Sequence, residues 1–139
     1  MKKQTLIVAS LCLSLGLAIV PAYGQAGGVQ AKVPFNFVVS GKTFAAGEYT
    51  MIAGSHQVKL QDAYGRTIAM VLANEVSGRS AGANGRIIFH CYRERCFLAE
   101  VWSPVQENGK QLLVSRTEAG LGKEERGEYF AVLGEKPQK

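Results

Sequence analysis

The stretch RIIFHCYRERCFLAEVW, Arg86 to Trp102, decides the reading of this 139-residue chain. Two runs within it, Ile87 to Tyr92 and Cys96 to Trp102, are rich in β-branched and aromatic residues, and only Arg93-Glu94-Arg95 separates them. The pattern predicts a β-hairpin. With a two-residue loop at Arg93 and Glu94, Tyr92 faces Arg95, Cys91 faces Cys96, Phe89 faces Leu98 and Ile87 faces Glu100. The pair flanking such a loop is hydrogen-bonded. Cys91 and Cys96 therefore take the next, non-hydrogen-bonded position, where Cα atoms approach to about 4.5 Å and a disulfide closes.

Outward from the hairpin the same strand logic recurs. Upstream, Ala31 to Val39 alternates, with Val33, Phe35, Phe37 and Val39 on one face, and predicts one half-buried strand. Pro34 cannot donate to a ladder, which places that strand at a sheet edge or places Pro34 near its start. Ser40-Gly41-Lys42 and Ala45-Ala46-Gly47 turn the chain. Strands are predicted at Glu48 to Ala53, at His56 to Gln61 and, after a turn at Asp62-Ala63-Tyr64-Gly65, at Thr67 to Val76. Ser77 to Gly85 reads as a mobile glycine-rich loop. Downstream come a short run Gln111 to Ser115 and a last strand Glu128 to Leu133. Between them, a helix beginning at Thr117-Glu118 is opposed by Gly120, Gly122 and Gly127, each costing about 1 kcal/mol relative to Ala. The spacing predicts an all-β fold, a single small antiparallel β-sandwich or flattened barrel.

The N-terminus reads as a leader. Lys2 and Lys3, an apolar run from Leu6 to Val20, Pro21 and the small-x-small site Ala22-Tyr23-Gly24 form the pattern of a signal peptide over residues 1–24, cleaved after Gly24. The alternative, a retained anchor, has an apolar run shorter than the roughly 18 to 20 residues a spanning helix needs, with no basic cluster behind it. Cys12 leaves with the leader. Taking 24 from 139 residues leaves 115, one exported domain over residues 25–139. Losing Lys2 and Lys3 leaves 14 basic residues against 11 acidic ones, a net +3. Charges so mild and interspersed support neither a nucleic-acid groove nor a membrane-binding patch once the leader is gone. The expected location is periplasmic or secreted.

Three blocks, KVPFNFVVSGKTFAAGEY (Lys32 to Tyr49), IIFHCYRERCFLAEVW (Ile87 to Trp102) and GKQLLVSRTE (Gly109 to Glu118), resemble a family of small, largely uncharacterised exported bacterial proteins. Its pattern is V-P-F-x-F-x-V-G-x-K-x-L-P-A-G-x-Y, then F-H-R-Y-G-D-x-Y-F-L-x-x-V-W, then G-x-x-L-x-x-S-x-x-E. The resemblance implies an exported β-rich domain and transfers no catalytic residue. Ala45 stands where the pattern has Pro, Arg93-Glu94 where it has a Gly-Asp turn, and Cys91 and Cys96 where it has Arg and Tyr. A cross-link closing about six residues, worth roughly 2 kcal/mol, offsets the weaker turn.

Few constellations that carry chemistry survive weighing. Cys91 and Cys96 are the only cysteines after the leader, and export favours a structural disulfide. A redox-labile pair and free or metal-bound thiols are the alternatives, although C-x4-C lacks the thioredoxin-type C-x-x-C setting. His56 and His90 are too few for zinc, and His90 faces away from both cysteines, beside Phe97. Gly78-Arg79-Ser80-Ala81-Gly82 matches the nucleophile elbow G-x-S-x-G, but Ala83-Asn84-Gly85 follows where a helix is required. Gly120-Leu121-Gly122 with Gly127 is no phosphate loop, and Lys123 to Arg126 reads as a solvated face. Phe35, Phe37, Tyr49, Phe89, Phe97 and Trp102 line a ligand cavity if the sheet closes into a barrel, and otherwise fill the core.

The sequence thus predicts a non-catalytic exported protein without cofactor, a structural module or one that meets a protein partner in the cell envelope. The alternative is a barrel-like binding protein for a small apolar ligand. An enzyme would need His56, His90 and Ser80 or a carboxylate to converge.

Overall fold

The structure, a computed structural model, describes residues 28–78, 84–104 and 108–135. The leader, Cys12 and Ser80 lie outside them. Among the described residues no helix is long and apolar enough to cross a membrane.

The fold is all-β, built outward from the predicted hairpin. β7 (Arg86–Tyr92) and β8 (Arg95–Trp102) pair antiparallel, with Tyr92 opposite Arg95, Cys91 opposite Cys96 and Phe89 opposite Leu98, as the sequence predicts. Beyond Phe89 the register departs from expectation. Ile88 pairs with Glu100 and Ile87 with Val101, because Ala99 bulges out of β8 and adds one residue to that strand. The turn is also strained, with Arg93 at φ 54° in the left-handed region that favours Gly or Asn. The Cys91 and Cys96 sulfurs are 2.07 Å apart and their Cα atoms 4.0 Å, so the pair sits at disulfide distance across the narrow position. Replacing both cysteines by alanine is expected to lower stability by about 2 kcal/mol, read as a shift of the urea midpoint at constant slope. No shift would mean that the thiols are not cross-linked in the folded protein.

The predicted strand from Ala31 to Val39 forms as two. β1 (Gly28–Val33) starts earlier than the alternation suggests and pairs with β4 (Gly47–Ala53), whereas β2 (Phe37–Val39) pairs with β3 (Lys42–Phe44) and, in parallel, with Cys96 and Phe97 of β8. Pro34 lacks the N–H a ladder needs, and the chain leaves one partner and crosses to the next there. The alternating face survives the break: Val33, Phe37 and Val39 are buried and Phe35 is half-buried. Among the described residues the sheet is thus mixed, with one parallel pair in an otherwise antiparallel arrangement. No proline stabilises the link after β3. Asn36 Oδ1 accepts the Ala46 N–H at 3.0 Å and the Tyr49 hydroxyl donates to the Ala45 carbonyl at 2.6 Å.

β4 continues through β5 (Gln57–Gln61) into β6 (Thr67–Val76). His56, expected in β5, falls just outside it and is exposed. Asp62 builds the β5–β6 turn, its Oδ1 accepting N–H bonds from Tyr64 and Arg66 at 2.9 and 3.0 Å. Those bonds, the Arg66 N–H foremost, hold its carboxyl below the usual range. β6 then pairs through Ala73 to Val76 with β9 (Gly109–Leu112), which returns to β8. The last strand, β10 (Glu128–Leu133), pairs with β7, and after it the Glu135 N–H reaches the Gln30 carbonyl of β1 at 2.7 Å. Among the described residues the ten strands form one sheet that branches at β8, and this last bond brings the chain after β10 against β1.

The interior is aromatic. Phe37 packs edge-on to Tyr49 and Phe89 with ring centroids 5.1 and 5.4 Å away, and Phe35 meets Phe89 at 5.0 Å. Val29, Met51, Leu60, Ile87 and Val101 complete the core. The helix weighed at Thr117-Glu118 does form, as α1 (Arg116–Glu124), running through Gly120 and Gly122. Ser115 caps it, its Oγ accepting the Glu118 N–H at 3.2 Å, while the Glu125 N–H bonds the Leu121 carbonyl at 2.8 Å. With Glu118 three residues after the cap, S-x-x-E starts the helix despite two internal glycines.

Candidate functional site

α1 lies over the outer face of the hairpin and brings together residues distant in sequence. His90 and Tyr92 alternate with Cys91 along β7 and so share that face, and β10 adds Tyr129 opposite His90. The His90 and Tyr129 rings stack at 4.2 Å and 5°. The Tyr92 hydroxyl lies 2.9 Å from His90 Nδ1, and Glu118 Oε1 reaches the same nitrogen at 3.3 Å. Arg93 and Glu125 add a second tie between hairpin and helix, at 3.5 Å. Glu118 is only 6% exposed, so its capping-box side chain faces the sheet instead of turning back to the cap. Burial pushes its carboxyl above the ordinary glutamate range, although His90 and Tyr92 pull the other way. Burial first, then the Glu118 and Tyr129 charges, pushes the Tyr92 hydroxyl up as well.

The histidine–glutamate contact has the form of a general-base pair, and its ring is half-buried among close neighbours. Tyr92 and Glu118 take Nδ1, Tyr129 covers one ring face, and Nε2 lies against Gly127 so closely that a side chain there would collide with it. The cluster fastens α1 to the sheet. Because the folded carboxyl is raised, stability from this group is present below about pH 4.5 and is lost as pH rises through the elevated value. Glu118→Gln is therefore expected to raise the thermal midpoint at pH 7 to 8 and to lose that advantage at pH 4. An unchanged or lowered midpoint at pH 8 would mean that the charged pair stabilises the helix.

His56 sits elsewhere, at an open pocket with Ser55, Glu75, Asn108 and Lys110. The structure thus gives His90 a carboxylate partner and separates His56 from both. Among the described residues no group of three or more His, Cys, Asp or Glu is placed to hold a metal ion. The six aromatics named as cavity lining divide. Phe35, Phe37, Tyr49 and Phe89 pack on one another, and Phe97 packs under Tyr92. Trp102 lies beneath the Arg86 guanidinium, with its Nε1 donating to Glu100 Oε2 at 2.7 Å.

A surface groove is the feature that sequence reading missed. β9 covers β6 only from Ala73 to Val76, while β8 takes up β2 instead of β9 at Cys96 and Phe97, and the sheet forks between them. In the fork lies an apolar groove of about 360 Å³, floored by Phe97 and Leu98 and walled by Val38, Met70, Leu72, Leu113 and Val114. Met70, Leu72, Leu113 and Val114 are 53, 65, 55 and 62% exposed. The β6 edge from Thr67 to Leu72 has a strand partner on the β5 side only, among the described residues. Periodicity alone gives no sign of this, since it reads the apolar positions of a strand as core on either face.

Compared with known protein families, curated proteins and solved structures, the chain matches none.

Proposed function

We propose that this protein is a non-catalytic, exported module of the bacterial cell envelope that holds an extended apolar segment of another protein along β6. One observation carries the reading: the apolar groove lies beside backbone of β6 that, among the described residues, has no strand on its open side. An incoming strand would satisfy the N–H and C=O groups that alternate residues of Thr67 to Leu72 turn away from β5, and its alternate side chains would enter the groove between Met70, Leu72 and Leu113. Exposed large apolar residues clustered at one place mark interaction sites more often than isolated ones do. Export rests on the leader pattern of residues 1–24 and on the three blocks that resemble small exported bacterial proteins, and it would put the partner in the periplasm or outside the cell. The mutual packing of Phe35, Phe37, Tyr49 and Phe89 favours this reading over an apolar ligand held inside the sheet.

A photo-crosslinking residue at position 72 or 113, in protein recovered from the envelope fraction, tests it. One dominant protein adduct is expected, absent when the crosslinker sits at exposed Leu133 on β10. The captured segment, made as a peptide, should slow hydrogen exchange at Thr67 to Leu72 on binding. Equal adducts from position 133, or no protection along β6, would overturn the docking.

A further inference from the structure

A second feature is the pocket of about 660 Å³ bordered by Ser55, His56, Glu75, Asn108 and Lys110. Glu75 of β6 and Lys110 of β9 stand directly opposite each other in the ladder. They share the face of the next-but-one pair, Ala73 and Leu112, both buried, with Lys110 buried beside them and Glu75 exposed at the margin. Opposite charges at such a position normally pair with each other. Here they form no ion pair. Lys110 Nζ donates instead to the Ser55 carbonyl at 3.0 Å, and Glu75 Oε1 accepts from Asn108 Nδ2.

Lys110 is only 6% exposed, yet among the described residues no carboxylate lies within ion-pair distance of it. Burying an ammonium against one carbonyl is costly, and among the described residues two of its three N–H groups remain for other acceptors. Glu75 is exposed and keeps its second oxygen for another donor. A cation and an anion thus border one pocket, each held by a separate partner. A lone anion entering there would match Lys110 but face Glu75, and a lone cation would do the reverse. A molecule carrying both charges a few bonds apart matches both.

We infer that this pocket binds a small zwitterion of the amino-acid type, its carboxylate on Lys110 and its ammonium on Glu75. His56, exposed at the rim, and the Asn108 amide flank the ligand. The site is separate from the β6 groove and does not depend on it.

Calorimetric titration of the full chain with L-alanine and L-phenylalanine, with acetate, methylammonium and inorganic phosphate as comparison arms, tests the inference. Saturable binding of at least one amino acid is expected, at least about tenfold tighter than either half-ligand. Lys110→Met and Glu75→Gln should each weaken it about tenfold or more. Glu75→Gln changes an exposed side chain, so it carries the test alone if Lys110→Met does not fold. Absence of saturable amino-acid binding, undiminished binding in Glu75→Gln, or acetate or phosphate binding as tightly as the amino acid would each overturn the zwitterion site.

Discussion

Phe89→Ala is expected to cost about 3 to 5 kcal/mol, enough to leave much of the population unfolded at physiological temperature. Phe89 is fully buried at the middle of β7, with Phe35 at 5.0 Å and Phe37 at 5.4 Å, both edge-on. Truncation removes the ring's transfer free energy, breaks two aromatic contacts and leaves a cavity between strands that the hairpin holds in place. Its neighbour across the β7–β10 ladder, Phe130, is the natural comparison, because it presents the same side chain at 47% exposure. Phe130→Ala should cost less than about 1.5 kcal/mol. Urea unfolding of both variants, compared by midpoint at constant slope, separates the two cases. Equal costs would mean that the core is not centred on the hairpin.

The second large effect is at Gly85, where the chain enters β7. Gly85 has φ +78°, and a Cβ there would lie 2.5 Å from the Trp102 carbonyl oxygen and 2.9 Å from both Val29 and Pro104 side-chain carbons. Its own carbonyl accepts the Gly134 N–H at 2.9 Å, so the backbone is held from the β10 side too. Gly85→Ala therefore adds a collision with backbone to the left-handed penalty of about 1 to 2 kcal/mol. A total of about 3 kcal/mol or more is expected. Gly65 isolates the first contribution, because it has nearly the same φ, +79°, and a Cβ placed there would meet nothing within 4 Å. Gly65→Ala should lose only the conformational part, about 1 to 2 kcal/mol. If urea unfolding shows the two alanines to cost the same, the β7 entry moves aside freely and the close approach to Trp102 has no energetic weight.

Legibility differed from place to place along the chain. The cysteine register was readable because a two-residue loop and the period of two fix which side chains face each other near a turn. The same rule failed a few residues farther on, at Ile87, because a bulge at Ala99 leaves no mark in composition. The Ala31 to Val39 alternation marked the buried face correctly and gave the wrong connectivity. Alternation reports which side is wet, whereas the partner on each edge depends on where Pro34 lets the chain cross. α1 was opposed on propensity, and the Ser115–Glu118 cap together with docking on His90 and Tyr92 outweighed two glycines. The capping pattern was in the sequence. The burial of its glutamate was not.

Strand class, the positions of most turns, the Cys91–Cys96 juxtaposition and an aromatic core set are therefore properties of the chain read as a string. They follow from periodicity and turn chemistry, which act over a few residues. Three-dimensional packing alone brought His90 to Glu118, set Lys110 and Glu75 opposite each other without pairing and, among the described residues, left part of β6 open beside an apolar groove. Each of these depends on which strands become neighbours across tens of residues, a choice set by the packing of the whole sheet and not by any segment within it.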